Sequence, residues 1–448
     1  MTITRHFVQV DGRFVHYRKA GSGPPLLMVH QSPRSSAEYI ELMERWSAHF
    51  TCIAPDTPGF GQSDPLPGEP EIDDFADAII GFMDAAGLDR VPAYGFHSGG
   101  IILVTALKRH PQRFSALAIG GYAVWTQAER EIFGEAYLPP FQPSAYGEHL
   151  TWLWNRILEQ SWFFPWFDVR PETRLPGAHD DPERVHATVM DMLAAGDAYR
   201  AGYGAVLRAP RDIPPPDFAG PPVLITAFDG DPLQAHLQRL GPLPGDWQAR
   251  PVATPRQHQD ESLAVLQAHA SSRSAPLRET PDRGFAPVAT DAWQGLIHWR
   301  GTGTSATVAG PGRSAALIEG PAIDPPGHGL SDPWPDAPEQ WAPWDRVMRT
   351  IARECEHSDL SHEPLPPGDP DRLFPDLATD RFGSYLTKAW SMVRAAHLFA
   401  PWYEAGAANA QDFDPAALAP SALAAEHLAL LQAGAARPYL LARQQGAI

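Results

Sequence analysis

Four short apolar runs, separated by stretches of helical period, limit what this chain can fold into. "PPLLMVH" (Pro24–His30), "FTCIAPD" (Phe50–Asp56), "RVPAYGF" (Arg90–Phe96) and "FSALAIGGY" (Phe114–Tyr122) are apolar nearly throughout rather than alternating. Strands buried on both faces of a parallel sheet have that character. Between them, "SSAEYIELMERWSAHF" and "DDFADAIIGFMDAAGL" place apolar residues three or four apart; Ile40, Met43, Trp46 and Phe50 share one helical face. Ahead of them, "FVQVDGRFVHYRKAG" alternates, with Asp11-Gly12 at a tight turn, and predicts a hairpin. Strands and helices in this order predict a doubly wound, mostly parallel α/β sheet. A long aromatic insertion, 125–210, then interrupts the alternation with "YGEHLTWLWNRILEQSWFFPWF" and "HATVMDMLAAGDAYRAGY", both helical in period. The sheet resumes at "PPVLITAFDGDPL" (Pro221–Leu233), so the insertion is expected to lie over the strand ends as a helical lid.

The totals narrow the partners. At 448 residues the chain exceeds one ordinary domain, and its 44% hydrophobic content supports large cores. A formal net charge of −18 argues against nucleic acid and anionic membranes. There is no run of about 18 apolar residues for a membrane span. The N-terminal stretch lacks the apolar core of a signal peptide. Two cysteines, Cys52 and Cys355, make no disulfide framework and point to a reducing, cytoplasmic setting. No glycine-rich phosphate loop or dinucleotide fingerprint occurs, so no nucleotide cofactor is expected.

The third strand leads into Gly95-Phe96-His97-Ser98-Gly99 and then the apolar helix "IILVTALKRH". A turn of this kind forces its central residue into a strained conformation, with the side chain exposed above the sheet. The flanking glycines are needed because Cβ atoms there would strike the adjoining strand and helix. His97 holds the centre; the other register, with Ser98 at the tip, would put Phe96 where a small residue is required. With "HQSP" (His30–Pro33), "DTPGFGQSDP" (Asp56–Pro65), "FDGDP" (Phe228–Pro232) and "RQHQDES" (Arg256–Ser262), this turn completes five landmarks in one order. Over residues 1–275 the chain resembles an α/β-hydrolase of the capped kind, although Gln31 and His97 stand where that family keeps a glycine and usually a serine.

That resemblance implies roles. His97 is expected to be the nucleophile or general base, with His258 as its acid–base partner and Asp231 orienting His258; Asp229 is the neighbouring alternative. The N–H groups of Ser32 and Ser98 would hold an oxyanion. Gln31 and Arg34 are placed beside the substrate, and Trp154, in the dense aromatic run of the lid, in the pocket wall. His30 fits a satisfied core histidine, and Ser36 the cap of the next helix. His30, His97, His258 and Asp231 could also converge on zinc or iron. Their spacings match no compact ligand motif, so no metal is expected.

The second half reads as a worn copy of the first. "LIHWRGTG" (Leu296–Gly303) echoes "FVHYRKAG" (Phe14–Gly21), and "DPPGHGLSDP" (Asp324–Pro333) echoes "DTPGFGQSDP". Phe382–Tyr403 aligns without a gap on Tyr146–Phe167. The loop recurs at an interval of 268 residues and the lid at 236, so the copy is 32 residues shorter between them. No second elbow and no counterpart of "HQSPRSS" is found there. The expected division is a catalytic domain at 1–275, a linker near 269–284, and a degenerate, non-catalytic repeat at 285–448, with lid–lid packing between the repeats. The activity expected is hydrolysis of a small apolar or aromatic ester or lactone. A cofactor-independent lyase or carbon–carbon cleaving enzyme, using two facing imidazoles, is the alternative. A silent ligand-binding protein with the same lidded pocket is the contrasting class.

Overall fold

The computed structural model describes residues 2–209, 213–271, 282–355, 357 and 359–446, so most of the linker expected near 269–284 lies outside the described residues. The chain divides into two compact units, Met1–Phe141 with Arg156–Glu279, and Gln142–Asn155 with Thr280–Ile448. Residues 142–155, within the expected lid, group with the second. No helix among the described residues is long and apolar enough to cross a membrane.

The first unit is built on an eight-stranded sheet. The alternating segment makes the antiparallel hairpin β1 (Thr4–Val10) and β2 (Arg13–Ala20), with Asp11 and Gly12 both at positive φ in its turn. The apolar runs become β3 (Pro25–Val29), β4 (Thr51–Pro55), β5 (Val91–Phe96) and β6 (Phe114–Gly120), and the sheet closes with β7 (Val223–Phe228) and β8 (Trp247–Val252). The order is β1-β2-β4-β3-β5-β6-β7-β8, parallel from β4 onward. Helices α1 (Ile40–Trp46), α2 (Ile72–Ala85) and α3 (Ser98–Arg109) connect the early strands. Each buries an apolar face against the sheet: Ile79 and Met83 of α2 and Leu103 and Leu107 of α3 share one core with Val29 and Ile119. The lid inserted after β6 is helical as its periodicity predicts, with α4 (Gln127–Tyr137), α5 (Glu148–Gln160), α6 (Pro182–Ala195) and α7 (Tyr199–Arg208). A final helix, α8 (Pro255–Ala268), follows β8.

The second unit has a smaller sheet of β9 (Arg283–Ala289), β10 (Gln294–Arg300), β11 (Ser305–Val308), β12 (Ala322–Ile323) and β13 (Asp359–His362). Its order, β9-β10-β12-β11-β13, repeats the order and sense of β1-β2-β4-β3-β5. Around it lie α9 (Trp341–Glu354), α10 (Pro370–Leu373), α11 (Ser384–Ala396), α12 (Pro420–Leu431) and α13 (Ala436–Gln445). A buried polar knot recurs in both units. His16 Nδ1 lies 2.8 Å from Asp56 Oδ2, and His298 Nδ1 lies 2.8 Å from Asp324 Oδ2. A serine hydroxyl returns to each aspartate's own carbonyl, Ser63 to Asp56 and Ser331 to Asp324.

One sequence expectation is corrected here. "AGPGRSA" (Ala309–Ala315) after β11 does stand where "HQSPRSS" stands after β3. Ser35 caps the following 3-10 turn, and Ser314 does the same. The Ser36 N–H donates to Asp56 Oδ1 at 2.8 Å, and the Ala315 N–H to Asp324 Oδ1 at 2.6 Å. Only the arginine and first serine survive in sequence, which hides the match. After β13 the chain runs into "EPLPPGDP", with no elbow helix.

Within the second unit, the first turns of α5 pack against α11 by reciprocal contacts. Trp154 Nε1 donates to the Arg381 carbonyl at 3.0 Å, and Trp390 Nε1 to the Ala145 carbonyl at 3.3 Å. Trp154 sets its ring edge-on to Tyr385, and Trp390 edge-on to His149. A side chain at Gly147 would strike Trp390, and one at Gly383 would strike Trp154. Residues 145 and 381, 147 and 383, 149 and 385, and 154 and 390 are each 236 apart, the interval of the aligned lid segments.

Candidate active site

The turn after β5 places His97 at φ 47° and ψ −111°, ahead of the first residue of α3. That backbone is strained for a residue with a Cβ, and the glycines around it make it possible. A Cβ on Gly95 would fall 2.8 Å from Gly100 N, and one on Gly99 would fall 2.0 Å from the Val29 carbonyl. His97 lies face to face on Phe96, with centroids 4.1 Å apart.

The imidazole finds its partner directly. His97 Nε2 is 3.1 Å from Asp231 Oδ1 and 3.3 Å from Oδ2. Asp231, in the turn after β7, is buried and also accepts the Leu233 N–H at 2.8 Å. Burial alone would raise the Asp231 carboxyl, but the His97 ring, its hydrogen bond and the Leu233 N–H outweigh burial and hold it below its usual range. An ionised carboxylate only accepts, so the Nε2 N–H is directed at Asp231, and in the neutral form of the ring Nδ1 is the acceptor. The approach depends on Gly121, where a Cβ would fall 2.6 Å from the His97 ring and 2.8 Å from Asp231 Oδ2. "IGGY" is the sequence signal for this meeting.

His258 is not brought to His97. It lies in the first turn of α8 rather than in the loop before it, and faces the sheet. Its Nδ1 is 2.6 Å from Thr226 Oγ1 and its Nε2 2.9 Å from the Tyr94 hydroxyl. Both nitrogens are therefore engaged, and Phe96 packs against both imidazoles. Burial pushes the His258 ring down to about 4, against the pull of Asp231. The expected His258–Asp231 pairing is thus replaced by His97–Asp231. Asp229 is exposed and takes the Gln234 side chain.

The remaining expected residues separate into two groups. Ser32 and Ser98 line the same cavity as His97. The Ser98 Oγ accepts the Ser32 N–H at 2.6 Å, occupying one expected oxyanion donor, and its hydroxyl donates to Ser32 Oγ at 3.3 Å. Gln31 is held by Glu38 through both its backbone and its side-chain nitrogen. Arg34 Nε and Ser35 Oγ both bond Asp191 on α6, at 2.8 and 2.6 Å, so this loop fastens the lid instead of facing substrate. Trp154 is corrected too: it is buried within the second unit and is not among the residues that line this cavity. His30 is satisfied in the core, its Nδ1 near the Gln31 carbonyl and its Nε2 accepting the Thr57 N–H. His30, His97 and His258 therefore do not converge on one point.

The cavity measures about 50 Å³, below the roughly 300–1,000 Å³ typical of small-molecule sites. Its wall opposite His97 comes from Trp125, Phe133, Tyr137, Phe164 and Tyr203. The Tyr137 and Tyr203 hydroxyls are 3.3 Å apart, and Trp125 Nε1 is buried without a partner. The aromatic density of the insertion signals such a wall, but nothing in the sequence singles out Trp125 or Tyr203. This arrangement, an oriented base in a small apolar chamber with hydroxyl and N–H donors, can take a proton from water beside a polarised carbon.

Residues 24–137 match the sequence profile of the α/β hydrolase fold family. The chain is similar to haloalkane dehalogenase 2 of Mycobacterium bovis and Mycobacterium tuberculosis, 34% identical over 123 residues. This covers 27% of this chain and 43% of that protein. It is 29% identical over 122 residues to (E)-2-((N-methylformamido)methylene)succinate hydrolase of Acinetobacter baylyi, covering 27% and 46%. It is 34% identical over 101 residues to soluble epoxide hydrolase of a Corynebacterium species, covering 22% and 35%. The chain thus spans less than half the length of each of these relatives.

Proposed function

We propose that this chain, which carries the α/β-hydrolase fold, hydrolyses a small apolar or aromatic ester or lactone with His97 as general base. The observation that carries the reading is the His97–Asp231 hydrogen bond at the elbow, beneath a lidded aromatic cavity. Nδ1 of His97 takes the proton of a water molecule as its oxygen attacks the carbonyl carbon. Asp231 steadies the imidazolium that forms. The backbone N–H groups opening α3, that of Ser98 among them, stabilise the carbonyl oxygen as it gains charge. The imidazolium then protonates the leaving alkoxide. The names of the relatives, two hydrolases and a dehalogenase, support hydrolysis over the matched stretch. The lyase reading required a second imidazole facing the first, and His258 is turned to Tyr94 and Thr226 instead.

The second unit reads as a degenerate repeat of the first, without a catalytic elbow among the described residues, that includes residues 142–155 of the lid. Its support is the repeated strand order, the His298–Asp324 knot and the reciprocal tryptophan contacts.

Turnover of phenyl acetate and dihydrocoumarin by wild type, His97→Ala and Asp231→Asn tests the catalytic reading. Either substitution is expected to lower kcat/KM by about 10²–10⁴. Activity indifferent to His97 overturns it.

A further inference from the structure

The second unit holds a cavity of about 300 Å³ of its own, at the lower edge of small-molecule sites. Its floor is the Gly310–Arg313 loop after β11, and its walls include Met392, Val393, Trp402 and Leu430. That loop is the positional counterpart of the Gln31–Arg34 loop, which gives Ser32 to the chamber at His97. The cavity therefore sits at the same place on its sheet as the candidate active site. β13 ends in His362, but that ring lies 3.4 Å from the Tyr439 hydroxyl and does not line the cavity, and no elbow follows it among the described residues, so the place is kept without the reactive group.

The polar groups at this cavity indicate what it takes. Arg313 Nε donates to both oxygens of Glu363, each at 3.0 Å, and Glu363 also accepts the Gly310 N–H at 2.8 Å. This fixes the guanidinium by one edge and leaves its terminal N–H groups for an acceptor. Glu426, on the opposite wall, is tied to His397 Nε2 at 3.1 Å. Each charge already has its opposite, so an ionic ligand would lose hydration without a free counter-charge. A neutral, mainly apolar molecule with one acceptor oxygen loses nothing of the kind and buries its body against leucine, methionine and tryptophan.

We infer that the second unit's cavity binds a small neutral carbonyl compound and holds it without converting it. The choice of a carbonyl as the acceptor rests on the function proposed for the first unit; the cavity and its neutrality do not. Calorimetric titration of the full chain with phenylacetone, an unreactive aromatic ketone, tests this in wild type, Ala396→Trp and Arg313→Gln. Filling the cavity at Ala396 is expected to abolish the binding. Removing the guanidinium is expected to weaken it about tenfold, the worth of a charge-assisted hydrogen bond. Circular dichroism checks folding, and if Ala396→Trp fails to fold, Arg313→Gln decides alone. No binding by wild type, or binding that neither variant changes, overturns the inference. The same titration on His97→Ala is expected to match wild type, so a failed hydrolysis assay and a failed binding assay are told apart.

Discussion

At the scale of single residues, the candidate site rests on one bond, between the His97 imidazole at the elbow and the Asp231 carboxylate after β7. That bond depends on Gly121 leaving room, and on His258 being drawn away by Tyr94 and Thr226. A motif read along the chain cannot show that His258 starts a helix facing the sheet. Two outcomes follow from the arrangement. Gly121→Ala is expected to force His97 and Asp231 apart, lowering kcat about as far as Asp231→Asn does; kinetics near wild type would contradict the geometry. His258→Gln, in contrast, is expected to keep kcat/KM within a few-fold of wild type. Its effect belongs to stability. The folded protein resists protonating a ring whose value burial lowers to about 4, while the unfolded chain protonates near 6.5. Stability is therefore full above pH ~6.5 and falls as the pH drops toward 4, by about 2 kcal/mol at pH 5 from this group. Urea unfolding at pH 7 and 5 should show a loss smaller by about that amount in His258→Gln, and an equal loss in both proteins would refute it.

At the scale of elements, buried strands announce themselves because continuous apolar runs have few other uses, and β3 to β6 lie where their runs predict. The lid was legible as helical but not in its breaks. "YGEHLTWLWNRILEQSWFFPWF" is helical in period, yet α5 stops at Gln160 and Phe163 pairs with Arg174 in a bridge, ahead of Pro165, which lacks the N–H that a helix would need. "HATVMDMLAAGDAYRAGY" breaks at Gly196, at φ 55°, into α6 and α7. The fastening of α6 was also hidden, since it joins residues 156 and 157 apart: Arg34 and Ser35 on one loop share the Asp191 carboxylate. Asp191→Ala removes both bonds and leaves a mostly buried guanidinium unpaired, at an expected cost of about 2 kcal/mol. The loss should appear locally, as faster hydrogen exchange across Pro182–Ala195 and a raised KM. Exchange unchanged in that helix would show that the bonds do not hold it.

At the scale of the whole molecule, the two halves are alike in spelling at the lid segments and the Asp-x-Pro-Gly loop, and alike only in shape at the Ala309–Ala315 loop. The preserved lid spelling has a physical reason. Positions 145–154 and 381–390 meet within one unit, and each tryptophan there answers a carbonyl, a glycine and a ring on the opposite segment. Contacts of this reciprocal kind arise where a surface is complementary to its own copy, so drift at one position is penalised at its partner. The two halves of the contact should then be worth nearly the same. Trp154→Phe and Trp390→Phe each keep most of the ring but leave a carbonyl, of Arg381 or Ala145, without its donor. Each is expected to cost about 1–2 kcal/mol in equilibrium unfolding. Trp154→Ala and Trp390→Ala, which also empty the space above Gly383 or Gly147, should cost about 3–5 kcal/mol each. A large cost at one tryptophan with none at the other would mean that the resemblance of the two segments outlived the pairing that explains it.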